Sequence, residues 1–126
     1  MIGSLMMCVS AVILVVGMLV GIVMGIQHDF ALAPAHAHLN LVGGVLLFLF
    51  GLYYRLVPRA GTSALAKLQG WLHIVGAIAF PVGIGIVVLY GESLVIFPIV
   101  GSLIVATAMI LFMVVLFRTS DVKIVP

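Results

Sequence analysis

Residues 93–117 read SLVIFPIVGSLIVATAMILFMVVLF, and residues 1–28 read MIGSLMMCVSAVILVVGMLVGIVMGIQH; neither run contains Asp, Glu, Lys or Arg. A helix rises about 1.5 Å per residue, so about 20 apolar residues cross the hydrocarbon core of a bilayer. Both runs exceed that length. Residues 30–54 and 68–91 are charge-free in the same way. Strands of a membrane barrel would be shorter and would alternate polar with apolar residues, which these runs do not. Four helices are expected, roughly over 3–26, 34–57, 64–89 and 93–117, forming a single transmembrane domain over 1–126. The first run has no basic start and is too long for a cleaved signal peptide.

Composition agrees. The 126 residues are 66% hydrophobic and 6% charged, with a mean hydropathy of +1.52. A soluble domain carries roughly 25% charged residues. A soluble enzyme, a nucleic-acid-binding protein and a disordered tail are therefore excluded. The fold class expected is an all-α integral membrane protein with lipid as its surroundings. Arg55, Arg59, Lys67, Arg118 and Lys123 fall on the face shared by both termini and the loop 58–63, whereas Asp29 and Glu92 fall on the other. Basic loops stay in the cytoplasm, so both termini are expected there, in a bacterial inner membrane. The pI near 9.0 expresses this topology and implies no nucleic-acid partner. Cys8 is the single cysteine, so no intrachain disulfide forms.

Polar residues inside the spans are few, and an ionisable group in a membrane is a functional-site hypothesis. His36 and His38 lie in the first two turns of the second helix. At about 100° per residue they point some 200° apart and cannot easily grip one metal together. Either each serves a different centre, or one serves a centre and the other a helix contact. His73 lies about nine residues into the third helix from the cytoplasmic side, on the order of 15 Å from the depth of the pair. It is expected to pack, donating to a helix carbonyl, or to serve a second site. Asn40 is expected to bridge helices, Tyr53 and Tyr54 to sit in the interfacial belt, and Trp71 to pack internally. Gly17, Gly21 and Gly25 form a stripe of small residues along the first helix that invites close approach by another helix. Pro81 is expected to kink the third helix.

The stretch His28-Asp29, then residues 30–35, then His36-Ala37-His38 followed by Leu41 and Gly44 resembles the tenth helix of subunit I in the heme–copper oxidase family. There a His-Asp pair precedes a His-x-His. Leu65-Ala66-Lys67-Leu68, Trp71-Leu72, Gly76 and Phe80-Pro81 are similar to the eleventh helix. The resemblance runs in order from His28 to about Gly85. It implies that His36 and His38 are iron ligands of heme, one per helix face, with His28 and Asp29 at the outer edge near heme propionates. Subunit I arranges roughly twelve helices as three arcs of four, and this chain resembles one arc. Its copper ligands, the His-Pro-Glu-Val-Tyr segment and the first-arc ligand have no counterpart here, so oxygen reduction by the family mechanism is not expected.

From the resemblance follows the expectation of a cytochrome-like protein that binds heme b through His36 and His38. One arc repeated three times would close the ring as a homotrimer. His36 of one protomer and His38 of its neighbour would then ligate one heme from both sides. A six-coordinate iron favours electron transfer. Two other classes stay open: a minimal oxidase or nitric oxide reductase component with a second metal, and a non-redox membrane interaction protein whose histidines only join helices.

Overall fold

The computed structural model describes residues 1–120; Lys123, counted above among the basic residues, lies outside them. Four long helices follow one another up and down: α1 (Ile2–Gln27), α2 (Ala33–Leu56), α3 (Ala64–Tyr90) and α4 (Ile96–Thr119). Each is long and apolar enough to cross a membrane, and the described residues contain no strand. The ends match the sequence expectation to within two residues except at α4. There Gly91 adopts φ 103°, a left-handed backbone that suits glycine, and Glu92–Leu94 form a 3-10 turn that delays the helix to Ile96. At the other end of the bundle a helical turn, Pro58–Gly61, links α2 to α3. Ser63 caps α3: its Oγ accepts from the Ala66 amide at 3.1 Å, satisfying one of the donors that a helix start leaves free.

Arg55, Arg59, Lys67 and Arg118 all lie at the end that carries the Pro58–Gly61 turn, and Asp29 and Glu92 at the other. The core is thickest at the basic end. Met6, Leu47, Tyr54, Ile74 and Val115 meet there, and the rings of Phe50 and Phe112 stack with centroids 3.9 Å apart. Tyr54 is part of this core and not of an interfacial belt; it is fully buried and donates to Gln69 Oε1 at 2.9 Å. Tyr53 donates to Thr119 Oγ1 at 2.7 Å, and Thr119 passes its own proton to the Val115 carbonyl. Trp71 is exposed on the outside of α3 instead of packed within.

Apolar burial gives helices in lipid little reason to associate, so close backbone approach and packing must hold them. The α1–α2 contact is tightest where two glycines face each other. A Cβ on Gly3 would come within 2.6 Å of the Gly51 carbonyl oxygen, and one on Gly51 within 2.7 Å of that of Gly3. Neither neighbour is a flexible side chain. Gly51→Leu is therefore expected to force the two helices apart, at a cost of about 3 kcal/mol. Thermal unfolding in detergent measures this; a variant as stable as the parent would exclude the contact.

Two departures from a plain helix matter. α3 runs unbroken through Pro81, which has no amide proton to give the Ala77 carbonyl. That oxygen lies against Gly43 of α2, 3.4 Å from where a Cβ would stand. In α2 itself, Leu39–Leu46 wind as a π-helix between two α-helical parts, Ala33–His38 and Leu47–Leu56. π-turns are rare and are common at functional sites. Nothing in the apolar run 39–46 signals this one.

Candidate functional site

The end opposite the basic residues carries the histidines. α2 starts at Ala33-Pro34, where the missing proline N–H would have had no intrahelical acceptor. His36 and His38 follow immediately and look in opposite directions. The His36 imidazole lies over Gly21 of α1, so close that a Cβ there would come within 2.9 Å of ring Cε1. The His38 ring meets Phe80 of α3 edge-on, with centroids 4.8 Å apart. The two-faced disposition expected from helix geometry is thus present.

Each ring is held by a different device. His38 Nδ1–H donates to the Pro34 carbonyl at 2.7 Å. A carbonyl only accepts, so this bond places the proton on Nδ1 and leaves the Nε2 lone pair for a ligand. Metal-binding histidines are commonly oriented this way. His36 is held by Asn40, one turn on, whose Nδ2 lies 3.2 Å from both ring nitrogens and donates to the unprotonated one. Asn40 Oδ1 packs over Gly17 and has no hydrogen-bond partner among the described residues. Asn40 thus touches α1 by packing, while its hydrogen bonds stay within α2, so the helix-bridging bond expected of it is not made among the described residues.

This assigns two glycines of the α1 stripe. Gly17 and Gly21 receive Asn40 and His36 of the same chain, whereas a Cβ at Gly25 would meet nothing within 4 Å. The close approach by another helix expected of this stripe is made at Gly17 and Gly21 by α2 of the same chain, and of the three glycines Gly25 is left open.

Beside His36 a groove opens between α1, α2 and α3. Its volume is about 310 Å³, with walls that include Val20, Leu32, Leu39, Pro81 and Leu89. An adjoining cavity of about 400 Å³ shares Val20, Leu32 and Leu89 and reaches Gln27 and Asp29 at its rim. His36 and Tyr90 are the polar side chains of the first, an apolar space with few polar groups of the kind that takes flat organic ligands. For a heme, His38 fits as an axial ligand as it stands. His36 lines the groove, but as it stands its ring is seated on Gly21 and its unprotonated nitrogen is taken by Asn40. Among the described residues no three His, Cys, Asp or Glu side chains converge to hold a metal ion by themselves.

His28 and Asp29 are exposed and have local work. His28 ends α1 with φ 52°, ψ 30°, the left-handed position usually given to glycine but adopted by histidine more readily than by most residues. Its amide donates to the Gly25 carbonyl at 3.4 Å and that of Asp29 to Met24 at 3.2 Å, the pairing of a Schellman motif. Asp29 Oδ1 then accepts from the Ala31 amide at 3.0 Å. The pair shapes the α1–α2 turn.

His73 lies elsewhere. It is fully buried, about 10 Å along α3 from Phe80 at 1.5 Å per residue, and packs edge-on against Phe50 at 4.9 Å. Its Nε2–H donates to the Val42 carbonyl at 3.0 Å, so it does donate to a helix carbonyl. From the α1 side Ser10 donates to the Gly44 carbonyl at 2.7 Å. Both acceptors belong to the π-helical segment, whose wide pairing takes carbonyls off the α-helical ladder. Two buried side chains from two helices bind them. Comparison with protein-family models, curated proteins and solved structures finds no match to this chain.

Proposed function

We propose that this is a membrane-embedded b-type heme protein that carries electrons, with His36 and His38 as iron ligands and a homotrimer as its working form. One observation supports it above the rest: His38 has its Nδ1–H fixed on Pro34, which leaves Nε2 as the ring's acceptor, two residues from a second histidine that lines an apolar groove between α1, α2 and α3. Heme would supply an iron that alternates between ferric and ferrous states. His36 of one protomer and His38 of the next would hold it, and the groove would exclude water. Asp29, at the rim of the adjoining cavity, and His28 would face the propionate edge. The resemblance of 28–85 to one arc of subunit I supports the same reading, and repetition of that arc is the reason for three copies.

The deciding experiment is an optical spectrum of protein expressed with ample heme. Sharp reduced α and β bands, one heme per protomer and no copper are expected. Stoichiometric copper or non-heme iron would select the oxidase or nitric oxide reductase reading instead. Colourless protein would select the non-redox one, which the seating of His36 and Asn40 on Gly21 and Gly17 favours.

The proposed orientation puts both termini in the cytoplasm of a bacterial cell. A cysteine replacing Gly61 should react with impermeant reagents only from the cytoplasmic side, and one replacing Glu92 only from outside. Labelling of both positions from one side overturns the four-span topology.

A further inference from the structure

Two buried hydrogen bonds tie α3 to α2 through side chains four residues apart on α3, Gln69 and His73. Tyr54 O–H donates to Gln69 Oε1 at 2.9 Å, and His73 Nε2–H donates to the Val42 carbonyl at 3.0 Å. Tyr54, Gln69 and His73 each have no exposed surface. Gln69 and His73 are four residues apart on α3, so their side chains are neighbours on one helix face. On these neighbouring side chains two buried atoms, Gln69 Nε2 and His73 Nδ1, have no hydrogen-bond partner among the described residues.

Their types are complementary. The Val42 carbonyl can only accept, which puts the His73 proton on Nε2 and leaves Nδ1 an acceptor. Tyr54 occupies Gln69 Oε1 and leaves Nε2 a donor. One is therefore a buried donor without an acceptor, the other a buried acceptor without a donor. Leaving such a group unpaired costs about 1–3 kcal/mol. Neither side chain is free to reach the other, because Tyr54 holds the Gln69 amide and Val42 with Phe50 holds the imidazole.

We propose that this is a binding site for one water molecule, which accepts from Gln69 Nε2–H and donates to His73 Nδ1. A buried water needs two to four polar partners, and these two suffice. Every donor in the resulting row, Tyr54 to Gln69 to water to His73 to Val42, points the same way. Reversing the Gln69 amide would set its oxygen toward His73 Nδ1 and turn its nitrogen to the tyrosine, breaking that sense. The Val42 carbonyl fixes the tautomer, and the water gives the remaining ring nitrogen a donor.

The test is ¹⁵N-histidine solid-state NMR of the full chain in lipid bilayers, with polarisation transferred from water. The His73 signals are those absent from a His73→Gln sample. Expected are a proton on Nε2, an Nδ1 shift of a hydrogen-bonded acceptor, and transfer from water to Nδ1. Gln69→Met, nearly isosteric but without a donor, should abolish the transfer and move the Nδ1 shift to that of a free nitrogen. Should Gln69→Met fail to fold, the parent spectrum decides alone. A hydrogen-bonded Nδ1 that receives no transfer from water means direct Gln69–His73 contact and overturns the proposal. So does a proton on Nδ1, or a Gln69→Met spectrum identical to the parent.

Discussion

His38→Ala is expected to remove the low-spin b-type spectrum essentially completely, and His36→Ala to do the same. His73→Ala should leave it in place. The contrast arises from position. His38 offers Nε2 because Pro34 holds Nδ1. His36 is the histidine of the groove. His73 is buried elsewhere, with Nε2 engaged by Val42, so its loss affects folding instead. Removing its bond leaves the Val42 carbonyl unpaired at about 1–3 kcal/mol, a lower thermal midpoint with an unchanged spectrum. The measurement is reduced-minus-oxidised absorption with pyridine-hemochrome quantification of heme. If His73→Ala alone discharges the heme, the assignment of ligands to the His36/His38 pair is wrong.

Co-expression of a subunit lacking His36 with one lacking His38 should recover low-spin heme that neither variant binds alone. The two rings leave α2 on opposite sides, one toward Gly21 and the other toward Phe80. One chain therefore has no second imidazole to complete either position. A head-to-tail contact supplies it, since each copy then gives one ligand forward and receives one from behind, and such a contact closes when the rotation fits a ring. In mixed rings some interfaces pair a surviving His36 with a surviving His38, and those alone should be coloured. Differently tagged subunits and sequential affinity steps isolate the mixed species. A colourless mixture refutes ligand sharing, as does a monomer by native mass that carries full heme. Gly25, open on the surface of α1, is the place on that helix where a neighbour can come near.

Charge-free length marked the helices well, because a span needs continuous apolarity and little else. The opposite facing of His36 and His38 followed from helix periodicity alone. The partners of His36 were less apparent, although a signal existed. Gly17 and Gly21 are four apart on α1, and Asn40 and His36 are four apart on α2. Two small residues facing two polar ones across antiparallel helices make a matched set, whereas the stripe by itself announced only that some helix comes close. Tyr54 and Trp71 exchanged their expected places for a similar reason. Aromatic character identifies neither the depth nor the face of a residue, and the partner that draws Tyr54 inward, Gln69, is distant in sequence. The π-helical winding left no trace in the apolar residues 39–46. Its supports, Ser10 and His73, sit on other helices and reveal it only once the chain is folded.

That winding also stores chain. Between Leu39 and Leu46 the backbone pairs over five residues instead of four, so more sequence fits into each turn than an α-helix would accept. Upstream lies Ala33–His38 with both ring-bearing positions, and downstream lies Leu47–Leu56, fastened to α1 through Gly51. Deleting one residue from 39–46 lets the slack be taken up as α-helix while both flanks remain helical. The upstream piece then keeps its azimuth relative to the anchored one, whereas the same deletion within the α-helical Leu47–Leu56 would turn it by about 100° and shift it by about 1.5 Å. The azimuth of His36 and His38 is therefore buffered against a change of one residue within 39–46, much as a slack link lets a chain be shortened without turning its sprocket.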